Sequence, residues 1–302
     1  MSILLILVLG VFFVSCTDAI PVSAEGISKS EAEVHSKENH SHKGKKHKTE
    51  FLLKRAEELG IETKGKDSST IADEVKAAFI KKQAESLGID IKGKDSEQVM
   101  KEIHELHIKS QAKVLDIDTK GKDNKTIATE VHNALLLKKA KKLGISTKDK
   151  EMEKLASEVF EKEIRDEAKE LSIKTEGMEL KEIAHDIHKM RVKRQASKLG
   201  ISVNGKEFHQ LAFEVHKAHV YKLAKELGVQ ADGKDFFQLA SEVREKQLLK
   251  VANDIGMDTD GKSTLELMNE IIINHEEKAQ ELNLFPMVHR HYHYSKWKHN
   301  NN

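Results

Sequence analysis

The chain contains little cysteine, proline or aromatic residue, and neither sign of charge dominates. Of its 302 residues one is Cys and two are Pro, and Phe, Trp and Tyr make up 5%. Because Cys16 is the only cysteine, a mature chain that has lost it has no disulfide, no thiol nucleophile and no cysteine-based zinc site. The 51 basic and 50 acidic residues leave a net charge of +1, which argues against a dedicated polyanion binder.

An apolar run followed by small residues opens the chain, and it is too short for a spanning helix. It is typical of a secretory signal, so we expect residues 1–24 to form a signal peptide that is cleaved after Ala24. The stretch that ends at Cys16 is similar to a bacterial lipobox, which would leave a lipidated Cys16 as a membrane anchor. An uncleaved anchor is a third alternative.

A repeat of 28 residues organises the rest of the chain. The triplet Leu-Gly-Ile begins at Leu59 and recurs, with substitutions, at Leu87, Leu115, Leu143, Leu171, Leu199, Leu227 and Ile255, with a degenerate ninth copy at Leu282. An alanine precedes each first residue by three, at Ala56, Ala84, Ala112, Ala140, Ala168, Ala196, Ala224, Ala252 and Ala279. Aliphatic residues four positions before each of these alanines complete one apolar helix face. The unvarying Ala predicts a close helix contact.

In most copies a glycine ends this helix, as expected for a left-handed cap residue. Asp116, Ser172 and Asn283 take that position elsewhere. A loop with a second glycine follows, and then an acidic residue or Ser starts the next helix with capping-box spacing in several copies. Since neither Gly nor Pro interrupts residues 75–87, we expect one helix of about 20 residues to serve two neighbouring cores.

The predicted fold is therefore all-α, with about eight tandem 28-residue helical repeats that form an extended rod or superhelix. The array spans residues 51–285. Residues 25–50 are rich in His and Lys and are predicted to be disordered, and residues 286–302 form a basic-aromatic tail.

The L-x-x-x-G-x-K pattern of each unit resembles the helix-extended-loop-helix modules of the SAP type. The whole array, with its LGI-x3-GK-D units, also resembles secreted helical-repeat proteins of Gram-positive bacilli, a group without a known activity. The first resemblance implies nucleic-acid binding, which is not expected of an exported protein of neutral charge. The second implies export and supplies no activity.

Two charged positions recur with the repeat. A Gly-Lys pair lies in six of the loops, and an acidic residue precedes the buried Val or Ile of every unit: Glu74, Glu102, Glu130, Glu158, Asp186, Glu214, Glu242 and Glu270. The lysines are either anion-binding groups at helix N-termini or solvated turn residues. The acids either line a cation groove or support the helix and pair with a nearby Lys.

Residues Gly256 to Ser263 spell G-x-x-x-x-G-K-S, which is the P-loop pattern. A P-loop requires a buried strand before it, whereas the repeat places a helix there. The two glycines of the pattern are the cap and loop glycines of the eighth unit. We therefore expect no nucleotide site.

Among the candidate functional residues the histidines are the most informative, because three pairs of them lie at i, i+3 on helices. Such a pair places two imidazoles on one helix face, which is half of a site for Zn, Ni or Cu. The helical candidates are His104 with His107, His185 with His188, and His216 with His219. The N-terminal segment adds His35, His40, His42 and His47. The alternative is that these are polar helix residues without a ligand.

The sequence carries no HExxH, no G-x-S-x-G and no thiol nucleophile, so it predicts no enzyme and no required cofactor. We expect a non-enzymatic, secreted or cell-surface protein that acts as a spacer or interaction array. Its partner would be an unidentified protein or a component of the cell envelope, with membrane contact only through a lipidated Cys16. The alternative function is histidine-based binding or sequestration of divalent metal, and nucleic-acid binding through SAP-like units is the least expected.

Overall fold

Ten helices in tandem make up the part of the chain that the structure describes. The computed structural model describes residue 49 and residues 52–281, and that part of the chain contains no β-strand. The first helix, α1, covers residues 52–58. The others are α2 Ser68–Ser86, α3 Ser96–Val114, α4 Asn124–Lys142, α5 Met152–Glu170, α6 Leu180–Lys198, α7 Phe208–Glu226, α8 Phe236–Asp254, α9 Thr264–Asn274 and α10 Glu276–Glu281.

The helices α2 to α8 have 19 residues each, which confirms the predicted helix that serves two cores. The second half of α2 packs Ile80 and Ala84 against Val99 and Ile103 from the first half of α3. The first half of α2, with Ile71 and its neighbours, packs against α1 in a separate cluster. Each long helix therefore belongs to two small cores at once.

The alanines before each helix end lie at the tightest point of these cores. From Ala56 to Ala252 each is at most 2% exposed. The Ala56 carbonyl accepts the N–H of Ile61 at 2.8 Å, and the Glu57 carbonyl accepts the N–H of Gly60 at 2.9 Å. These two bonds form a Schellman motif, and the apolar residue after the cap folds back on its own helix as the sequence predicts.

Left-handed backbone at the helix ends is required even where glycine is absent. Asp116 and Ser172 have φ values of 55° and 59° at the cap position, and Asp149 has 56° at the loop position. Asp and Ser occupy this conformation at a cost that glycine avoids. The prediction that Asp116 and Ser172 replace a left-handed cap glycine is confirmed.

Helix starts follow the capping prediction only in part. Asp95, Asp235 and Ser263 form complete capping boxes with Gln98, Gln238 and Glu266. In contrast, the Glu207 side chain makes no capping bond, and its predicted partner Gln210 completes no box. Glu179, another glutamate at this position, does form a capping box with its predicted partner Glu182, so the longer side chain does not by itself prevent capping.

Contacts between distant helices make the array a superhelix. The Lys82 ammonium donates to Asp235 at 2.7 Å, and the Asn269 amide donates to the Ser110 hydroxyl at 2.8 Å. These residues are 153 and 159 positions apart, so between five and six 28-residue units complete one superhelical turn. The contacts pair α1 with α7, α2 with α8 and α3 with α9. The second half of α4 contacts α10, which continues the repeat helix that α9 begins, at Lys139 and Glu276. Contacts between neighbouring units, which the sequence predicts as the main support, are therefore supplemented by contacts between superhelical turns.

Candidate functional site

The loop lysine and the recurring helix acid bind each other. Lys66 contacts Glu74 at 2.5 Å, and Lys122 contacts Glu130 at 2.6 Å, each across eight residues. The same ion pair recurs in seven of the eight units: Lys66–Glu74, Lys94–Glu102, Lys122–Glu130, Lys150–Glu158, Lys206–Glu214, Lys234–Glu242 and Lys262–Glu270. This pairing fits the interpretation in which the acids support the helix by pairing with Lys. Neither the recurring lysines nor the recurring acids therefore form an array of open binding sites.

The fifth unit lacks both partners. Met178 replaces the lysine, and Asp186 replaces the glutamate and lies 3.9 Å from Lys189 on its own helix. The loss of the cation thus coincides with a shortened acid, as expected if the two side chains act together. The fourth unit keeps Lys150 although Asp149 replaces its glycine, so the lysine is more regular than the Gly-Lys motif indicated.

The P-loop-like stretch is one more copy of this loop. Gly256 and Gly261 have φ values of 68° and 69°, like the glycines of the other units. Lys262 donates to Glu270 at 2.5 Å, and Ser263 caps α9. The element before the stretch is the helix α8, as the repeat predicts.

We expect the Lys–Glu pair to hold the loop against the helix that follows it. A double-mutant cycle with Lys122→Met and Glu130→Gln should give a coupling energy of about 1 kcal/mol, since both side chains are only about a third exposed. Urea unfolding at low and high salt measures it, and added salt should reduce it.

The fifth unit supplies the matched control for that cycle. Replacing Met178 by Lys and Asp186 by Glu should install the pair where it is missing and raise the free energy of unfolding by a similar amount. A coupling near zero in the third unit, with no gain in the fifth, would contradict a structural role for the pair.

A buried arginine occupies the first contact between the superhelical turns. Arg55 is 3% exposed, and its guanidinium carbon lies 4.8 Å from the ring centroid of Phe79 and 4.7 Å from that of Phe213. Its Nη1 atom also donates to Glu58 at 2.9 Å, and Glu58 in turn accepts from Lys217 at 3.3 Å. A desolvated guanidinium on aromatic faces is a favourable cation–π contact, so Arg55 stabilises the packing of α1 against α7.

Histidines lie close to this contact. His107 is 6% exposed, and its two ring nitrogens have no hydrogen-bond partner. A positive charge on its ring would be repelled by His104 and by Arg244 of the other superhelical turn. The ring of His216 packs edge-on against Phe236 at 5.5 Å, and Arg244 and Arg55 are among the charges around it. Residues from four units therefore meet here.

Burial lowers the pKa of these imidazoles. The pKa of His104, of His107 and of His216 falls to about 4, first because of desolvation and then, for His107 and His216, because of nearby cationic groups. Desolvation also lowers the pKa of His132, His185 and His219. At neutral pH these rings are uncharged.

The structure does not complete the predicted metal half-sites. Within residues 52–281 no group of three or more His, Cys, Asp or Glu side chains is placed to hold a metal ion. His185 is exposed, and His188 of the same pair packs on Phe208 at 4.8 Å. The helical pairs therefore keep two ligands each, and metal binding stays a prediction.

Several predicted features lie outside the described residues. They are the signal segment 1–24 with Cys16, the segment 25–50 with His35, His40, His42 and His47, and the tail 286–302. Along the helices that are described, none is both long and apolar enough to cross a membrane.

Sequence reasoning missed the contact between superhelical turns, including Arg55. Its residues change from unit to unit: Phe79 corresponds to His107 in the next unit, and Phe213 to Ser241. A search for repeated positions passes over such residues. A signal was present, because Phe213 is a large aromatic residue at a helix position that is polar in the other units.

Comparison of the chain with protein-family profiles, with curated proteins and with solved structures found no match.

Proposed function

We propose that the protein is a non-enzymatic scaffold, secreted or held at the cell surface, that acts as a spacer or as an array for protein contacts. The observation that carries this proposal is the pairing of the two most regular charged positions in seven units. Residues that repeat serve the architecture within each unit, whereas residues that differ between units lie at the contact between superhelical turns, such as Phe79 and Phe213, or on exposed helix faces. A superhelical array of this kind offers long surfaces to partners.

The apolar N-terminal segment supports export. Cleavage after Ala24 would release the array, whereas lipidation of Cys16 would hold it at a membrane surface. The paired loop lysines also weigh against nucleic-acid binding through the SAP-like units, because their charge is already neutralised by glutamates of the same unit.

Cell fractionation with mass-spectrometric mapping of the N-terminus tests the proposal. We expect the protein outside the cytoplasm, with a new N-terminus at Glu25, or with a lipid on Cys16 if it is anchored. A matched variant with Ala24→Leu should block cleavage and leave the larger chain cell-associated, because the cleavage site requires a small residue. An unprocessed Met1 in the cytoplasmic fraction would contradict export.

A further inference from the structure

Helix α4 carries two lysines, one helical turn apart, that an acidic segment of the chain covers. Lys138 and Lys142 are four residues apart, and like charges at that spacing destabilise a helix. Lys138 donates to the side-chain oxygen of Asn274 at 2.8 Å, and Lys142 contacts Glu276 at 3.5 Å and Glu277 at 3.2 Å. The acidic segment at the junction of α9 and α10 therefore offsets the repulsion between the two lysines.

Helix α6 repeats this pair of cations without the acidic segment. Arg194 and Lys198 occupy the positions of Lys138 and Lys142 two units later, and of α2 to α8 only α4 and α6 have a basic residue at both positions. Both side chains on α6 are exposed, and neither takes part in an ion pair with any of the described residues. Arg194 donates to the Leu171 carbonyl at 3.4 Å, which leaves its charge unpaired.

No described helix lies where it could cover these cations. The second half of a helix faces the units five and six places later, because Lys139 of the third unit contacts Glu276 of the eighth and Lys82 of the first contacts Asp235 of the seventh. Helix α6 belongs to the fifth unit, and the described array reaches only the eighth. A helix that faces Arg194 must therefore come from outside the described residues.

The neighbouring helix α5 adds an acid to the same surface. Glu170 is exposed and occupies the position of Glu58, which accepts from Lys217 of α7 at 3.3 Å. Within the chain α9 contacts α3 and its continuation α10 contacts α4. A helix that crosses α5 and α6 in the same way meets Glu170 first and then Arg194 and Lys198.

We propose that Glu170, Arg194 and Lys198, here called the α5–α6 edge, bind a helix of a partner protein in which a basic residue is followed within about one turn by two or three acidic residues. The basic residue faces Glu170, and the acidic residues face Arg194 and Lys198. The order of the charges sets the direction in which the helix lies. This inference rests on the proposed function as an array for protein contacts, and it names the kind of segment that one surface of the array binds.

The charges of the α5–α6 edge favour a helix with both signs of charge over a polyanion. Asp166 and Glu170 are exposed on α5, so they would repel a polymer that carries negative charge alone. The contact of α10 with α4 shows that a helix can approach this part of a unit closely enough to form ion pairs.

Binding of a synthetic helical peptide to the intact protein tests the proposal. The peptide is based on alanine and carries one lysine followed within a turn by three glutamates, and fluorescence anisotropy at low ionic strength measures its binding. The double variant Arg194→Glu, Lys198→Glu should weaken binding about tenfold or more. The matched control is Lys222→Glu, Lys250→Glu, which changes the net charge equally at the exposed positions of α7 and α8 that correspond to Arg194, and it should leave binding unchanged.

Reversal of all three charges tests the pairing itself. The triple variant Glu170→Lys, Arg194→Glu, Lys198→Glu should lose the original peptide and bind one in which lysine and glutamate are exchanged. Absence of binding at low ionic strength, equal effects of the two double variants, or failure of the exchanged peptide to bind the triple variant would each overturn the proposal. Tighter binding of inorganic polyphosphate than of the peptide, lost in the Arg194→Glu, Lys198→Glu variant, would also overturn it and assign the edge to an anionic polymer.

Failure of this docking surface is distinguishable from failure of the proposed function. The peptide measurement uses the isolated protein and does not depend on where the chain is located in the cell. Fractionation and mapping of the N-terminus test export whether or not the peptide binds.

Discussion

Lowering the pH from 7 to 4 is expected to destabilise the array by several kcal/mol. His104, His107 and His216 have a pKa of about 4 in the folded protein, against about 6.5 in an unfolded chain. Between these values the unfolded chain binds more protons, so the free energy of unfolding falls as the pH falls. The buried His107 alone contributes up to about 3 kcal/mol, and His216, which is also largely buried, contributes a similar amount, whereas the half-buried His104 contributes less because water screens it.

The loss has a defined window. The stability that depends on neutral histidines is fully present above about pH 6.5 and is lost as the pH drops through the folded pKa near 4. Carboxylates with a lowered pKa, such as Asp235 and Glu266, lose their contribution only at lower pH. Urea unfolding followed by circular dichroism at pH 7, 6, 5 and 4 measures the histidine window separately.

Matched variants test whether the pH dependence of the free energy of unfolding comes from the contact between superhelical turns. His107→Leu should flatten the dependence between pH 6.5 and 4, because it removes a buried titrating group beside Arg244. His185→Gln should change the slope far less, since this side chain is exposed. Equal slopes for the two variants would mean that the turn contact is not the acid-sensitive part of the fold.

Replacing Ala84 by Leu is expected to destabilise the protein by about 3 kcal/mol. Ala84 is 0% exposed and packs with Ile80, Val99 and Ile103, while its carbonyl accepts the N–H of Ile89 at 2.9 Å. Three additional carbons in this position force the loop away from the helix or the two helices apart. Urea unfolding at neutral pH measures the loss.

The control for this variant lies on the same helix. Ala77 is exposed on α2, so Ala77→Leu should change the free energy of unfolding by no more than about 0.5 kcal/mol. Both changes have nearly the same helix propensity, and their difference therefore reports burial alone. Similar unfolding curves for the two variants would show that the unvarying alanine is not fixed by packing.

What the sequence could predict depends on the distance over which each feature acts. The caps at Asp116 and Ser172, the long shared helices and the buried Ala84 follow from patterns within one unit, and the structure confirms them. The Lys122–Glu130 pair also lies within a unit, but eight positions across a loop, where no helix or strand period predicts which side chains meet.

Contacts between superhelical turns could not be predicted in this way. They depend on the rotation between successive units, which accumulates over more than five repeats before Lys82 and Asp235 meet. No single unit contains that rotation. The metal prediction has the same limit, because the His104 and His107 spacing fixes two ligands on one helix, while a third would have to come from another part of the superhelix.

The shared helices also limit how the length of such a chain can change. Deleting one residue in the middle of α4 would turn everything after it by about 100° around the helix axis, so Leu136 and Ala140 would no longer point into their core. The cost is the same wherever the deletion falls between two cores. Arrays of this kind can therefore gain or lose material only in whole 28-residue steps, and each step changes which units face each other across the superhelical turns.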